Sequence, residues 1–256
     1  MFQQLKESYG TNLPAKIQFV HLMMDIAKAY ENAPEPFYPF FNSQLQNMRK
    51  LKRKNAGKLF GFGAFDPRRD GDWRLRAETA LEMGFLGFKF YPAMGYLPIG
   101  NDNPEVEERV LEFFNFCIHH KPPVPVFSHC APKVFETKQG FVENSHPRHW
   151  KNLFLKHPEL AELRLCLGHA GGGIDPHKPI ASYGWMAANN DQWENPEKPE
   201  NYAKGVVDLC CKYHNVFCDI SYVTELLGED LIQGKAPVEI LKVNLRKAME
   251  TNGSYS

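Results

Sequence analysis

Apolar positions along this chain follow two alternating patterns. Short apolar runs recur at Lys16–Met23, Lys58–Phe65, Gly84–Tyr91, Val124–Cys130, Leu163–His169 and Val216–Tyr222. Runs of that length, bounded by turn residues, predict buried strands. Between them the spacing becomes helical. Val106, Val110, Phe113, Phe114, Cys117 and Ile118 make one stripe, opened by Asn103 as N-cap and Pro104 at the first helical position. Further helices are predicted from about Arg74 to Met83 with a stop at Gly84, after Pro147–Trp150, over about Tyr202–Tyr213, and from Pro237 to a stop at Gly253.

Strand–helix alternation calls for a parallel sheet, either closed as a (β/α)8 barrel or open and doubly wound. Both architectures put binding groups at the carboxyl ends of strands. The first strand ends Met23-Met24-Asp25-Ile26, without the glycine-rich phosphate turn of an open nucleotide-binding sheet, and the glycines at 171–173 follow a late strand. The expected fold is therefore an α/β barrel of TIM type, one domain over 1–256. Only six strands can be counted, and none follows the last helix or precedes the run near residue 16. The expectation is an incomplete (β/α)8 barrel, truncated at both ends. Two open strand edges would favour a homo-oligomer or aggregation.

Composition narrows the partners. Lys plus Arg and Asp plus Glu number 30 each, so no net field points to nucleic acid or to a membrane surface. No apolar run reaches the length of a membrane span, and the N-terminal residues lack the basic and apolar regions of a secretory signal. Six cysteines contain no Cys-x-x-Cys and sit mostly in apolar runs, the usage of reduced thiols in a cytoplasmic protein. A small-molecule substrate is the expected partner.

The candidate chemistry lies at strand ends. His129 closes Pro123–His129, and His169 closes Leu163–His169 just before Ala170 and three glycines. Two histidines in one repeated context read as metal ligands on neighbouring strands, the alternative being satisfied core histidines. Side chains alternate along a strand, so Gly87, Lys89 and Tyr91 share one face while Phe88 and Phe90 face the helices. That points Lys89 inward. It could bind an anionic substrate, carry a carbamate bridge or make a structural ion pair. Tyr91 is a candidate substrate contact or a packing residue. Asp219, on the face of Phe217 and Ser221, could orient a ligand from behind. Asp25 could reach the site but reads first as a helix N-cap; Asp66 reads as a turn cap, and Arg68 and Arg69 after it are solvated or bind a substrate carboxylate. The stretch 174–201, with Trp185 and Trp193, could line an apolar pocket or cover a helix or subunit contact.

In order, Lys58–Arg68, Gly87–Pro92, Val126–Cys130, Pro147–Trp150 and Leu167–Gly172 resemble the amidohydrolase superfamily, and its amidohydrolase-related, decarboxylase-like branch in particular. The resemblance implies a metal-dependent (β/α)8 barrel with a His-x-His pair on the first strand, single histidines on the fifth and sixth, and an Asp on the eighth. With strands two to seven visible, His129 and His169 match the fifth- and sixth-strand ligands. The chain contains no His-x-His. The implied cofactor is a divalent metal, zinc as first expectation. The implied reaction is attack of a metal-activated water on a C–N, ester or lactone bond of a small substrate. Lys89 is its catalytic candidate, Tyr91 and Trp185 its substrate contacts, and Asp219 the residue behind the ligands. Alternatives are a non-oxidative decarboxylase of a small carboxylic acid and a non-catalytic barrel with structural histidines. With two histidines alone, the isolated chain is expected to bind metal weakly and to turn over negligibly.

Overall fold

The computed structural model describes residues 18–26, 28, 41–69, 71–132, 135–172, 184–187, 201–221, 231–232 and 234–253. Tyr222, Trp193 and most of the 174–201 stretch lie outside them. Among the described residues six strands, β1 (Phe19–Leu22), β2 (Leu59–Phe65), β3 (Gly87–Phe90), β4 (Val126–Ser128), β5 (Leu165–Leu167) and β6 (Val216–Cys218), pair in chain order. Every pairing is parallel. The sheet is curled into part of a TIM-type barrel, as expected for an incomplete one.

Among the described residues six α-helices accompany the strands: α1 (Phe41–Lys54), α2 (Trp73–Glu82), α3 (Pro104–His119), α4 (Arg148–Lys156), α5 (Tyr202–Lys212) and α6 (Pro237–Gly253). Asn103 caps α3 as predicted, its side-chain oxygen accepting from the N–H groups of Glu105 and Val106. Asp72 caps α2 in the same way. The α1 helix was not predicted on its own, although Leu45 and Met48 bury one side of it. The strands are shorter than predicted by up to a few residues at each end. Single inter-strand hydrogen bonds, such as Asp219 N–H to Leu167 O, still run past the strand ends, and the apolar pattern runs on into the loops.

Alternation divides each strand between two environments. Phe65, Phe88, Phe90, Val126, Leu165 and Leu167 face the helices and are buried. There Phe65 stacks on Phe113 at 3.7 Å between ring centroids, and Phe90 meets Phe114 and Trp150. The opposite face carries one row formed by register: Ala64, Lys89, Phe127, Cys166 and Phe217. One pleat further on, beyond the carboxyl ends, stand Asp66, Tyr91, His129, Gly168 and Asp219. Gly87 keeps the inner face closely packed, since a Cβ there would lie 2.3 Å from Pro125 O and 2.5 Å from the Phe62 ring.

Candidate metal centre

His129 follows β4 directly, and its backbone N–H still donates to Phe90 O at 3.0 Å. The ring leans on Tyr91, with centroids 4.8 Å apart, and the residue is 6% exposed. His169 stands beyond β5 in a tight turn. Its φ of 65° and that of Ala170, 45°, are both left-handed. Non-glycine residues hold such angles only at about 1 kcal/mol or more each, so the surroundings must enforce them. Asp219 is one enforcer: its carboxylate accepts the His169 N–H at 3.2 Å and the Ser221 N–H at 2.7 Å. Gly171 supplies the close approach that follows, since a Cβ there would meet the Ala203 backbone at 2.5 Å.

The two rings meet. His169 Nε2 lies 3.1 Å from His129 Nδ1. On its other side His169 Nδ1 sits 3.2 Å from Ser221 O and 3.0 Å from Ser221 Oγ. A carbonyl oxygen only accepts, so Nδ1 carries the proton and Nε2 presents a lone pair to His129. Burial pushes the His129 imidazole well below its ordinary pKa, with Lys89 and His169 adding to the effect. Burial also lowers His169, against the opposing pull of Asp219. Both rings are thus held neutral, the form that ligates metal. The second nitrogen of His129, Nε2, is buried with no hydrogen-bond partner among the described residues.

This donor pair fits a divalent cation. His129 Nδ1 and His169 Nε2 stand 3.1 Å apart on neutral rings, so the two nitrogens could hold one cation between them. The pair is nevertheless a partial set. Among the described residues no group of three or more His, Cys, Asp or Glu side chains is arranged to hold a metal ion.

Lys89 points to the inner face, as alternation predicts, and is 5% exposed. Its Nζ lies 4.2 Å from the Phe127 ring centroid and 5.5 Å from that of Tyr91. Burial pushes its pKa from 10.5 down to about 7, with Asp219 opposing the shift. Tyr91 is buried beside His129, and its hydroxyl donates to Phe135 O at 3.1 Å. Lys89, Tyr91, His129, His169 and Asp219 are therefore brought together at the carboxyl ends of β3 to β6. Trp185 is not. Its ring is packed in a small cluster with Ala170, Met186, Ala187, Ala203 and Val207, and its indole N–H donates to Ala170 O at 2.8 Å. A buried indole goes where an acceptor is, and here that lies behind the turn.

At the mouth of β1 and β2, Asp25 forks with Arg69, and the segment it was expected to cap lies outside the described residues. Asp66 does hold its turn, accepting the Arg68 N–H at 2.9 Å, and it also forks with the Arg68 guanidinium. Ser221 is a further site residue, through its contacts with His169 Nδ1 and Asp219. Its position two residues after Asp219 was the available signal, because an Asp carboxylate commonly accepts from the N–H two residues on.

A family model described as Amidohydrolase matches residues 7–240. The chain belongs to this family. Among curated proteins none matches it. Among solved structures it is similar to a 5-carboxyvanillate decarboxylase from Novosphingobium aromaticivorans, with bound manganese and 3-methoxy-4-hydroxy-5-nitrobenzoic acid. That similarity has a TM-score of 0.43 and 15% identity, over 66% of this chain and 49% of the decarboxylase. The chain thus spans about half the length of that enzyme. It is also similar to a probable 2-pyrone-4,6-dicarboxylic acid hydrolase from Acinetobacter baumannii with citric acid bound. There the TM-score is 0.36 and the identity 11%, over 85% of this chain and 77% of that one. No helix among the described residues is long and apolar enough to cross a membrane.

Proposed function

We propose that this chain carries part of the centre of a metal-dependent hydrolase acting on a C–N, ester or lactone bond of a small substrate. The observation that carries the reading is the 3.1 Å approach of two neutral imidazoles through His129 Nδ1 and His169 Nε2. These two nitrogens would hold the cation, zinc being the first expectation. When bound, the cation supplies a Lewis acid that polarises a carbonyl oxygen and acidifies water.

The other residues act around the pair. Asp219 and Ser221 fix the His169 ring with Nε2 turned towards His129. Lys89 titrates near neutrality, so its Nζ can take up or deliver a proton at the pH of catalysis. In its charged form it would also hold an anionic group of the substrate. Tyr91 and Phe127 wall the Lys89 amine and keep water from it.

Titration with zinc, followed by calorimetry or by competition with a chromophoric chelator, tests the centre. Uptake by the wild type should weaken at least tenfold in His129→Ala and equally in His169→Ala. Undiminished uptake in either variant would overturn the assignment. The chemistry is read in the whole protein, with a panel of lactones, amides and carboxylated aromatics. Ring-opened or cleaved acids support hydrolysis, whereas release of carbon dioxide replaces it with decarboxylation.

A further inference from the structure

We infer that Trp185 and Asn244 are positioning residues for His169, holding the left-handed turn that aims Nε2 at His129. This rests on the histidine-pair reading above and extends it to residues far from the pair. The turn is pinned from two sides. On the β6 side Asp219 and Ser221 hold the His169 N–H and ring. On the helix side the one side-chain donor to Ala170 O among the described hydrogen bonds is the Trp185 indole, at 2.8 Å. Ala170 is the second of the two consecutive non-glycine residues at positive φ, so this bond bears on the strained backbone itself.

Trp185 is in turn held by α6. The Asn244 amide donates to Trp185 O and to Ala187 O, both at 2.9 Å, and Asn244 is fully buried. Its own Oδ1 is buried with no hydrogen-bond partner among the described residues. An amide retained in an apolar stripe with Ile240 and Ala248, at the expense of an unsatisfied oxygen, has its two donations as its structural content. Asn244 fixes the 184–187 segment, that segment presents the indole N–H, and the indole N–H holds Ala170 O. Shifting the backbone of the turn breaks this chain of bonds, and turning the His169 ring breaks those to Ser221.

The test substitutes Trp185→Phe, which deletes the donor and keeps an aromatic ring, and Asn244→Leu. Val207→Ala serves as control, because it opens the same small cluster without touching a hydrogen bond. Long-range proton–nitrogen spectra of the metal-free protein report the His169 tautomer, with the signal assigned by His169→Gln. The wild type should show a single form protonated at Nδ1. Trp185→Phe and Asn244→Leu should mix the tautomers and weaken zinc uptake at least tenfold, while Val207→Ala changes neither. A folded Trp185→Phe protein with wild-type His169 signals would overturn the inference, and so would mixing in Val207→Ala. Tautomer mixing in a protein whose wild type takes up no zinc would uphold the positioning and fault only the metal assignment. Should both donor variants fail to fold, the wild type still decides. The Trp185 indole proton should exchange with solvent as slowly as the sheet amides, and exchange as fast as an exposed indole would refute the bond.

Discussion

Replacing Lys89 by methionine should stabilise the metal-free chain, and the gain should shrink as pH rises. The amine is 5% exposed, and burial lowers its pKa from 10.5 to about 7. While the amine is charged in both states, that difference opposes folding by about 5 kcal/mol. The sign follows from proton counts. From about pH 7 to 10.5 the unfolded chain keeps a proton that the folded chain has released, so stability rises with pH across this window. Between pH 7 and 9 the rise is about 2 kcal/mol. Loss of the Lys89 contact over Phe127 offsets part of the gain, by an amount of the order of 1 kcal/mol. Urea unfolding in a chelator should therefore find Lys89→Met more stable than wild type by about 3 kcal/mol at pH 7 and by about 1 kcal/mol at pH 9. An equal difference at the two pH values would refute the reasoning, as would a variant less stable at pH 7. Either would mean that the amine is neutralised by a carboxylate partner or a carbamate.

Gly87→Ala should lower stability by about 2 kcal/mol or more, because the added methyl meets the Pro125 carbonyl and the Phe62 ring; thermal unfolding reads this directly. Asp219→Asn keeps the shape but leaves either the His169 or the Ser221 N–H without its acceptor. Denaturant unfolding should record a loss of about 1–2 kcal/mol, and zinc uptake should fall several-fold with it.

The parts of the fold that were legible are those encoded by local period and local caps. Asn103-Pro104 announces α3, Gly84 ends the turn after α2 with a φ of 87°, and the alternation around Lys89 separates its inner face from the two phenylalanines. The histidine pair was legible for the same reason: both residues follow buried strands that register side by side. What stayed hidden depends on polar partners distant in sequence. Nothing local ties Asp25 to Arg69, or Asn244 to the backbone of Trp185. Trp185 in a stretch rich in Trp, Asn and Asp looks like pocket lining, until the need of a buried N–H for an acceptor sends it behind the turn. Hardest to foresee is the turn itself. His and Ala seldom adopt positive φ, so His169-Ala170 suggests a strand end giving way to flexible glycines, not two consecutive left-handed residues. Local rules are broken where surrounding bonds over-determine the backbone. Here those bonds come from Asp219 on one side and Trp185 on the other, and the residue they constrain is the one that faces His129. The strained turn therefore marks the site from the backbone side as clearly as the facing nitrogens mark it from the side chains.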